Sequence, residues 1–284
     1  MNYYNLKRQI KNRLKPLDLD ETELETQVNL IIEDLIGLQL NLLILKDDLN
    51  LSLEQEIRLT TILNKRLTFV PLQYVLGYAY FGELKLKLTQ GVFIPRSDTL
   101  ALVFQVINII NSLKTPNLNL LEIGIGSGAI AIALLKHFPD LNITGIDINP
   151  IACKISKENA QNYGVAARLK VINTDLISFK QSPAIYHGLI ANPPYISYAE
   201  YLGLDRQIIL NEPKTALIGS DTDGLGFYRQ IAKCAHLITK PAFVAVEIGD
   251  RQAQAVSEIF KNHNFADISI YQDANGLDRV LTAQ

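Results

Sequence analysis

The residues of this chain with chemistry to offer fall into two short stretches. In "IANPPYISY" (190–198), Asn192 is followed by Pro193, Pro194 and Tyr195 at the end of an apolar run. The prolines fix φ and hold the loop extended, so the Asn192 side chain and the Pro193 carbonyl can be held facing one point. Two acceptors so placed suit a planar NH2 group: each hydrogen meets one of them, and the nitrogen is left to face a reactant. Tyr195 stands where its ring can stack on an amide or base plane. The second stretch, "LEIGIGSGAIAIAL", sets Gly124, Gly126 and Gly128, with Ile125 and Ser127 between them, after a strand-like run and before a helix-like one. Such glycines allow a tight turn and let a ligand approach backbone amides at a helix N-terminus. Asp147 follows about 20 residues later, where a carboxylate can hold a ribose hydroxyl. With Ala129 the spacing also fits the dinucleotide fingerprint Gly-x-Gly-x-x-Ala, so these residues imply a nucleoside cofactor and leave its identity open. Glu122 can contact a positively charged group, and Asp175 in "NTDL" is placed to meet an adenine amine, with Leu176 beside the ring.

The surrounding sequence must supply the scaffold. "LNLLEI" (118–123), "NITGID" (142–147), "RLKVIN" (168–173), "AIYHGLIA" (184–191) and "AFVAVEI" (242–248) read as strands. Helices are expected in "AIAIALLKHF", in "PIACKISKENAQNYG", near 224–238 and in "RQAQAVSEIFKNH", with strands "DISIYQD" and "DRVLTA" last. This rhythm predicts an α/β fold, an open doubly wound sheet of parallel strands covered on both faces. "NPPY" then falls at the carboxyl end of the fourth strand, the edge at which such sheets bind ligands. Ahead of it, Leu24, Val28, Ile31, Ile32, Leu35 and Leu38 recur at helical spacing. Asp20 with Glu23 and Ser52 with Gln55 have capping-box spacing, and Gly37 is placed to end a helix. The expected domains are a helical bundle over 1–72, a β-hairpin linker over 73–95 built on "YAYFGELKLKLTQGVFIP", and a catalytic domain over 96–284 that opens with a helix at 98–112.

Composition narrows the classes of partner. A net charge of −2 gives no global attraction to nucleic acid or an anionic membrane, so either would need a local patch. Lys7, Arg8, Lys11, Arg13 and Lys15 form one short basic run, of the kind that solvated helix faces carry. No window reaches the roughly 18 uninterrupted apolar residues of a membrane span, and the N-terminus lacks the apolar core of a signal peptide, so a cytoplasmic protein is expected. Cys153 and Cys234 form no CxxC pair and the four histidines lie far apart, so reduced thiols and no metal site are expected.

Asn-Pro-Pro-Tyr after strand four, with Gly-x-Gly-x-Gly after strand one, resembles the amino-group methyltransferases that use S-adenosylmethionine. "VPLQYVLGYAYFGELKLKLTQGVFIPRSDT", "NEPKTAL", "DGLGFYRQI", "VEIG" and "DRV", in that order, resemble the HemK/PrmC family of peptide-chain-release-factor glutamine N-methyltransferases over essentially the whole chain. The resemblance implies a Rossmann-like catalytic domain and an N-terminal helical domain that helps dock the release factor, whose Gly-Gly-Gln loop enters the pocket. It implies that Gly124 to Gly128 form the methionine-side loop, Asp147 the ribose partner, Asp175 and Leu176 the adenine pocket, Asn192 to Tyr195 the glutamine-amide clamp, and Arg96 part of the pocket wall. A monomer with no membrane partner and no direct nucleic-acid partner is expected. The family usually has Asp at Glu122, an aromatic residue at Leu176, and Pro and Glu at Ser97 and Leu100. "PRS" is reminiscent of sister enzymes acting on a large-subunit ribosomal protein, the alternative substrate. A DNA adenine methyltransferase would share both motifs but needs a substantial basic surface. A nucleoside-binding assembly module is the non-enzymatic alternative.

Overall fold

Capping residues fix the helix ends of the first part of the chain. In a computed structural model describing residues 2–43, 49–179 and 186–284, Asp20 accepts from the Glu23 amide and Ser52 with Gln55 closes a capping box. Gly37 ends its helix at φ 73°, a left-handed conformation that glycine adopts without steric cost. The chain divides into two compact units, Met1–Gly77 with Asp205–Asn211, and Tyr78–Leu204 with Glu212–Gln284.

The first unit contains α1 (Tyr3–Leu14), α2 (Glu21–Ile36), α3 (Leu40–Leu43), α4 (Leu53–Leu67), α5 (Leu72–Leu76) and the later α10 (Arg206–Asn211). Leu6, Ile10 and Leu14 of α1 meet Val28, Ile31 and Leu35 of α2 and Leu59 and Ile62 of α4 in one core. These spacings lay one apolar stripe along each helix. Arg66, 1% exposed, is satisfied there by the Gln27 side chain and the Val70 carbonyl.

The second unit opens with an antiparallel hairpin, β1 (Tyr78–Phe81) and β2 (Leu84–Lys87), turning at Gly82. The early part of the expected 73–95 hairpin is instead helical, as α5. There follow α6 (Leu100–Leu113), β3 (Asn119–Ile123), α7 (Ala129–His137), β4 (Asn142–Asp147), α8 (Pro150–Asn162), β5 (Leu169–Asn173), β6 (Tyr186–Ala191), α9 (Tyr198–Tyr201), α11 (Gly226–Lys233), β7 (Ile238–Glu247), α12 (Ala253–Lys261), β8 (Ile268–Gln272) and β9 (Asp278–Ala283). Residues 184 and 185 of the strand expected over 184–191 lie outside the described residues. The helix expected near 224–238 stops at Lys233, with a 3-10 turn over Cys234–Leu237.

Seven strands pair in the order β5-β4-β3-β6-β7-β9-β8. The first five are parallel, whereas β9 runs antiparallel to both β7 and β8. The parallel pairing stops at this edge because β8 and β9 are joined by a tight turn closed by the Asp273 amide on the Leu277 carbonyl, too short for a crossover helix. Neighbouring strand residues bury on opposite faces. Leu120, Ile190 and Ala245 join the core that includes Leu102 and Leu134; Leu121, Leu189 and Val246 join the one around Tyr228 and Phe260. Both faces are covered, which is why the strands read as continuous apolar runs. Among the described residues, no helix is long and apolar enough to cross a membrane.

Candidate active site

The carboxyl ends of β3, β4 and β6 open onto one cavity. On one side the wall is backbone. Gly124, Gly126 and Gly128 all have left-handed φ (77°, 54° and 84°), which explains glycine at each. The Gly124 and Ile125 amides donate to the Ile146 carbonyl at 2.9 and 3.0 Å, tying the turn to β4. Asp147 closes it from the other end, its carboxylate accepting from the Gly126 amide at 2.9 Å and the Asn149 amide at 2.8 Å. Burial pushes the Asp147 carboxyl up against those two hydrogen bonds. Glu122, 1% exposed, lines the same wall, and among the described residues its Oε2 has no hydrogen-bond partner. Burial raises its carboxyl well above the usual range, and the nearby Asp147 charge adds to the effect.

The opposite wall is made of side chains. Asn192 Nδ2 donates to Thr99 Oγ1 at 3.0 Å, leaving Oδ1 as the amide's acceptor. The Tyr195 hydroxyl donates to Glu247 Oε1 at 3.2 Å, and Gln252 Nε2 donates to the Tyr195 carbonyl at 2.9 Å. The loop is further fixed by Ile196, whose amide donates to the Leu217 carbonyl at 3.0 Å and whose carbonyl accepts from Gly219 at 2.9 Å. Gly224 passes so close beneath that a Cβ there would lie 2.4 Å from the Tyr195 carbonyl oxygen. Arg96 forms an ion pair with buried Glu212, which also accepts from the Ile94 amide, and its guanidinium lies over the Phe93 ring.

Of the residues singled out from sequence, Gly124, Ile125, Gly126, Ser127, Asp147, Leu176, Asn192, Pro193 and Pro194 line the cavity together with Glu122. Four expected residues do not. Gly128 serves packing, since a Cβ there would sit 3.1 Å from Ile132 and 3.2 Å from Ser156, where α7 meets α8. Asp175 is exposed and accepts from the Ser178 amide at 2.7 Å, capping the turn that presents Leu176. Tyr195 packs its ring on the core and turns its hydroxyl to Glu247 instead of stacking in the cavity. Arg96 braces the wall through Phe93 and Glu212. Phe93, Pro95, Thr99, Pro213, Thr215 and Phe227 line the cavity without having been picked out as site residues. Glu247 has a readable signal, a carboxylate directly after the apolar run "AFVAV".

Comparison with known proteins decides the family. Residues 5–77 match the family model "PrmC N-terminal domain" and 101–217 match "Methyltransferase small domain". A release factor glutamine methyltransferase of Thermodesulfovibrio yellowstonii is 34% identical over 81% of this chain and 82% of its own length. The chain belongs to the HemK/PrmC family of release factor glutamine methyltransferases. Another HemK/PrmC relative, from Fusobacterium nucleatum, is 40% identical over 75% of this chain, and the match spans 60% of that protein's length. The hMettl16 catalytic domain, solved in complex with a 3′UTR hairpin, shares the fold at a TM-score of 0.55, covering 84% of each chain at 14% identity.

Proposed function

We propose that this protein transfers a methyl group from S-adenosylmethionine to the side-chain amide nitrogen of the glutamine in the Gly-Gly-Gln motif of peptide chain release factors, in the cytoplasm and as a monomer. The observation that carries the reading is the orientation of Asn192: with Nδ2 engaged by Thr99, Oδ1 is the free acceptor on a cavity whose other wall has the character of a nucleoside site.

The cofactor fits the residues present. Glu122 offers an unpartnered carboxylate oxygen in a buried wall, suited to the methionine ammonium. Asp147 keeps lone pairs for ribose hydroxyls beyond its two backbone bonds, and Leu176 gives an apolar face for adenine. Asp175 acts by holding the Leu176 turn. When bound, the cofactor supplies an electrophilic methyl on a sulfonium.

The chain's own contribution is orientation. An amide nitrogen is a poor nucleophile because its lone pair is delocalised into the carbonyl. Asn192 Oδ1 and the Pro193 carbonyl grip the two N–H groups, keep the nitrogen facing the methyl, and stabilise the positive charge that grows on it. One N–H proton leaves as the product forms. Alignment of this kind is worth roughly 7–11 kcal/mol. The N-terminal helical unit is the proposed docking element for the release factor.

The test is incubation of the purified protein with labelled S-adenosylmethionine and release factor. Mass spectrometry is expected to find one added methyl on the Gly-Gly-Gln peptide. Label appearing only on ribosomal protein, or only on DNA, would move the reading to those substrates.

A further inference from the structure

Gln252 lends its side chain to the amide wall and not to its own helix. It stands at the N-terminal cap of α12, where a short Ser, Thr, Asp or Asn would bind the free helix amides, and its side chain makes no capping bond. Instead its Nε2 donates to the Tyr195 carbonyl at 2.9 Å, while its Oε1 accepts from the Gly249 amide at 3.1 Å. The Tyr228 hydroxyl, which donates to the Glu247 carbonyl at 2.9 Å, also reaches Oε1 at 3.3 Å. A peptide N–H can only donate and a peptide carbonyl can only accept, so these partners fix which way the Gln252 amide faces.

The loop has a physical need for such a hold. Pro193 and Pro194 carry no N–H, so two consecutive residues of the clamp cannot be tied to the sheet through their own amides. The Tyr195 carbonyl is the next backbone handle along the chain. Gly224 cannot supply the donor from a side chain, since even a Cβ there would lie 2.4 Å from that oxygen.

We propose that Gln252 is a positioning residue for the amide clamp: anchored on the Gly249 amide, it holds the Tyr195 carbonyl and so sets where the Pro193 carbonyl and the Asn192 side chain stand. The inference rests on the reading that those two groups grip the substrate amide. Tyr195 is then held at both ends, its hydroxyl on Glu247 Oε1 at 3.2 Å and its carbonyl by Gln252. Loss of the Gln252 bond frees the backbone end while the ring stays packed on the core, so the damage falls on the loop before it falls on the fold.

The test compares kcat, KM for release factor, affinity for S-adenosylmethionine and Tm in the wild type, Gln252→Met, Gln252→Lys and Gln252→Glu. Gln252→Met keeps the length of the arm and gives up both bonds. It is expected to lose about tenfold or more in kcat, within the roughly hundredfold that a misplacement of about 1 Å can cost, with little change in KM and with cofactor affinity kept. The charged pair separates the two ends of the amide. Gln252→Lys has a donor for the Tyr195 carbonyl and no acceptor, whereas Gln252→Glu has an acceptor for Gly249 and turns an oxygen on the Tyr195 carbonyl. Positioning through that carbonyl requires Gln252→Lys to keep more kcat than Gln252→Glu. A merely structural anchor on Gly249 requires the opposite order. Wild-type kcat in Gln252→Met, or more kcat in Gln252→Glu than in Gln252→Lys, overturns the proposal, and the charged pair decides the matter alone if Gln252→Met does not fold. Full turnover in Asn192→Ala would remove the clamp itself, whereas an inactive Asn192→Ala beside wild-type kcat in Gln252→Met would remove only the role of Gln252.

Discussion

The two walls of the cavity are built by different means. The glycine wall is backbone held by backbone, its turn closed on the Ile146 carbonyl and on Asp147. The amide wall is side chain held by side chain, Asn192 on Thr99 and Tyr195 on Glu247. One wall should fail through conformational strain and the other through loss of a single partner. The first kind of damage is felt in cofactor affinity and stability, the second in turnover.

The largest effect tests the side-chain wall. Asn192→Ala is expected to lower turnover by about 100-fold or more with cofactor affinity kept, as steady-state kinetics beside calorimetric titration of S-adenosylmethionine would read. Weakened cofactor binding in that variant would show that the walls are not separable. Glu122→Gln should do the reverse, losing cofactor affinity by about tenfold, the scale of a charge-assisted hydrogen bond, while the chemical step in single-turnover assays changes little. It also carries a pH signature. The folded carboxyl is raised above its unfolded value of about 4.3, so the folded state binds the extra proton. The wild type therefore loses stability as pH rises above about 4.3, and the variant should lack that slope in urea melts between pH 4 and 8.

A smaller effect is expected at Gly128. An alanine there must hold φ near 84° and press on Ile132 and Ser156, costing about 1–2 kcal/mol and lowering Tm with Asn192 undisturbed. The smallest belongs to Asp175. Asp175→Asn keeps an acceptor for the Ser178 amide and should change cofactor affinity by no more than about threefold. A loss beyond about tenfold would return Asp175 to direct contact with the adenine.

The same contrast decides what could be read from sequence. The glycine turn lies within one short stretch, with Asp147 at the usual distance, so spacing alone places it. "NPP" is legible because rigidity is written into proline. The partners that orient Asn192 and Tyr195 are not, since Thr99 and Glu247 sit on other elements, 93 and 52 positions away along the chain. Alternation of apolar residues gives a strand's faces and says nothing about which polar group will meet which. Asp175 and Tyr195 are hard to place for a related reason: a lone acid can cap a turn and a tyrosine can bury its ring, and neither choice leaves a mark in residue type. At the sheet edge, the connection of β8 to β9 is too short for a crossover helix, which makes the last pair antiparallel.

The bridge between Ile196 and Ile218 joins the loop that carries Asn192 to the stretch anchored by Glu212, so the two behave as one mechanical part. A ligand that stills either segment must still the other. The Ile196 and Gly219 amides, each donating across that seam, should therefore slow their hydrogen exchange together when the cavity fills.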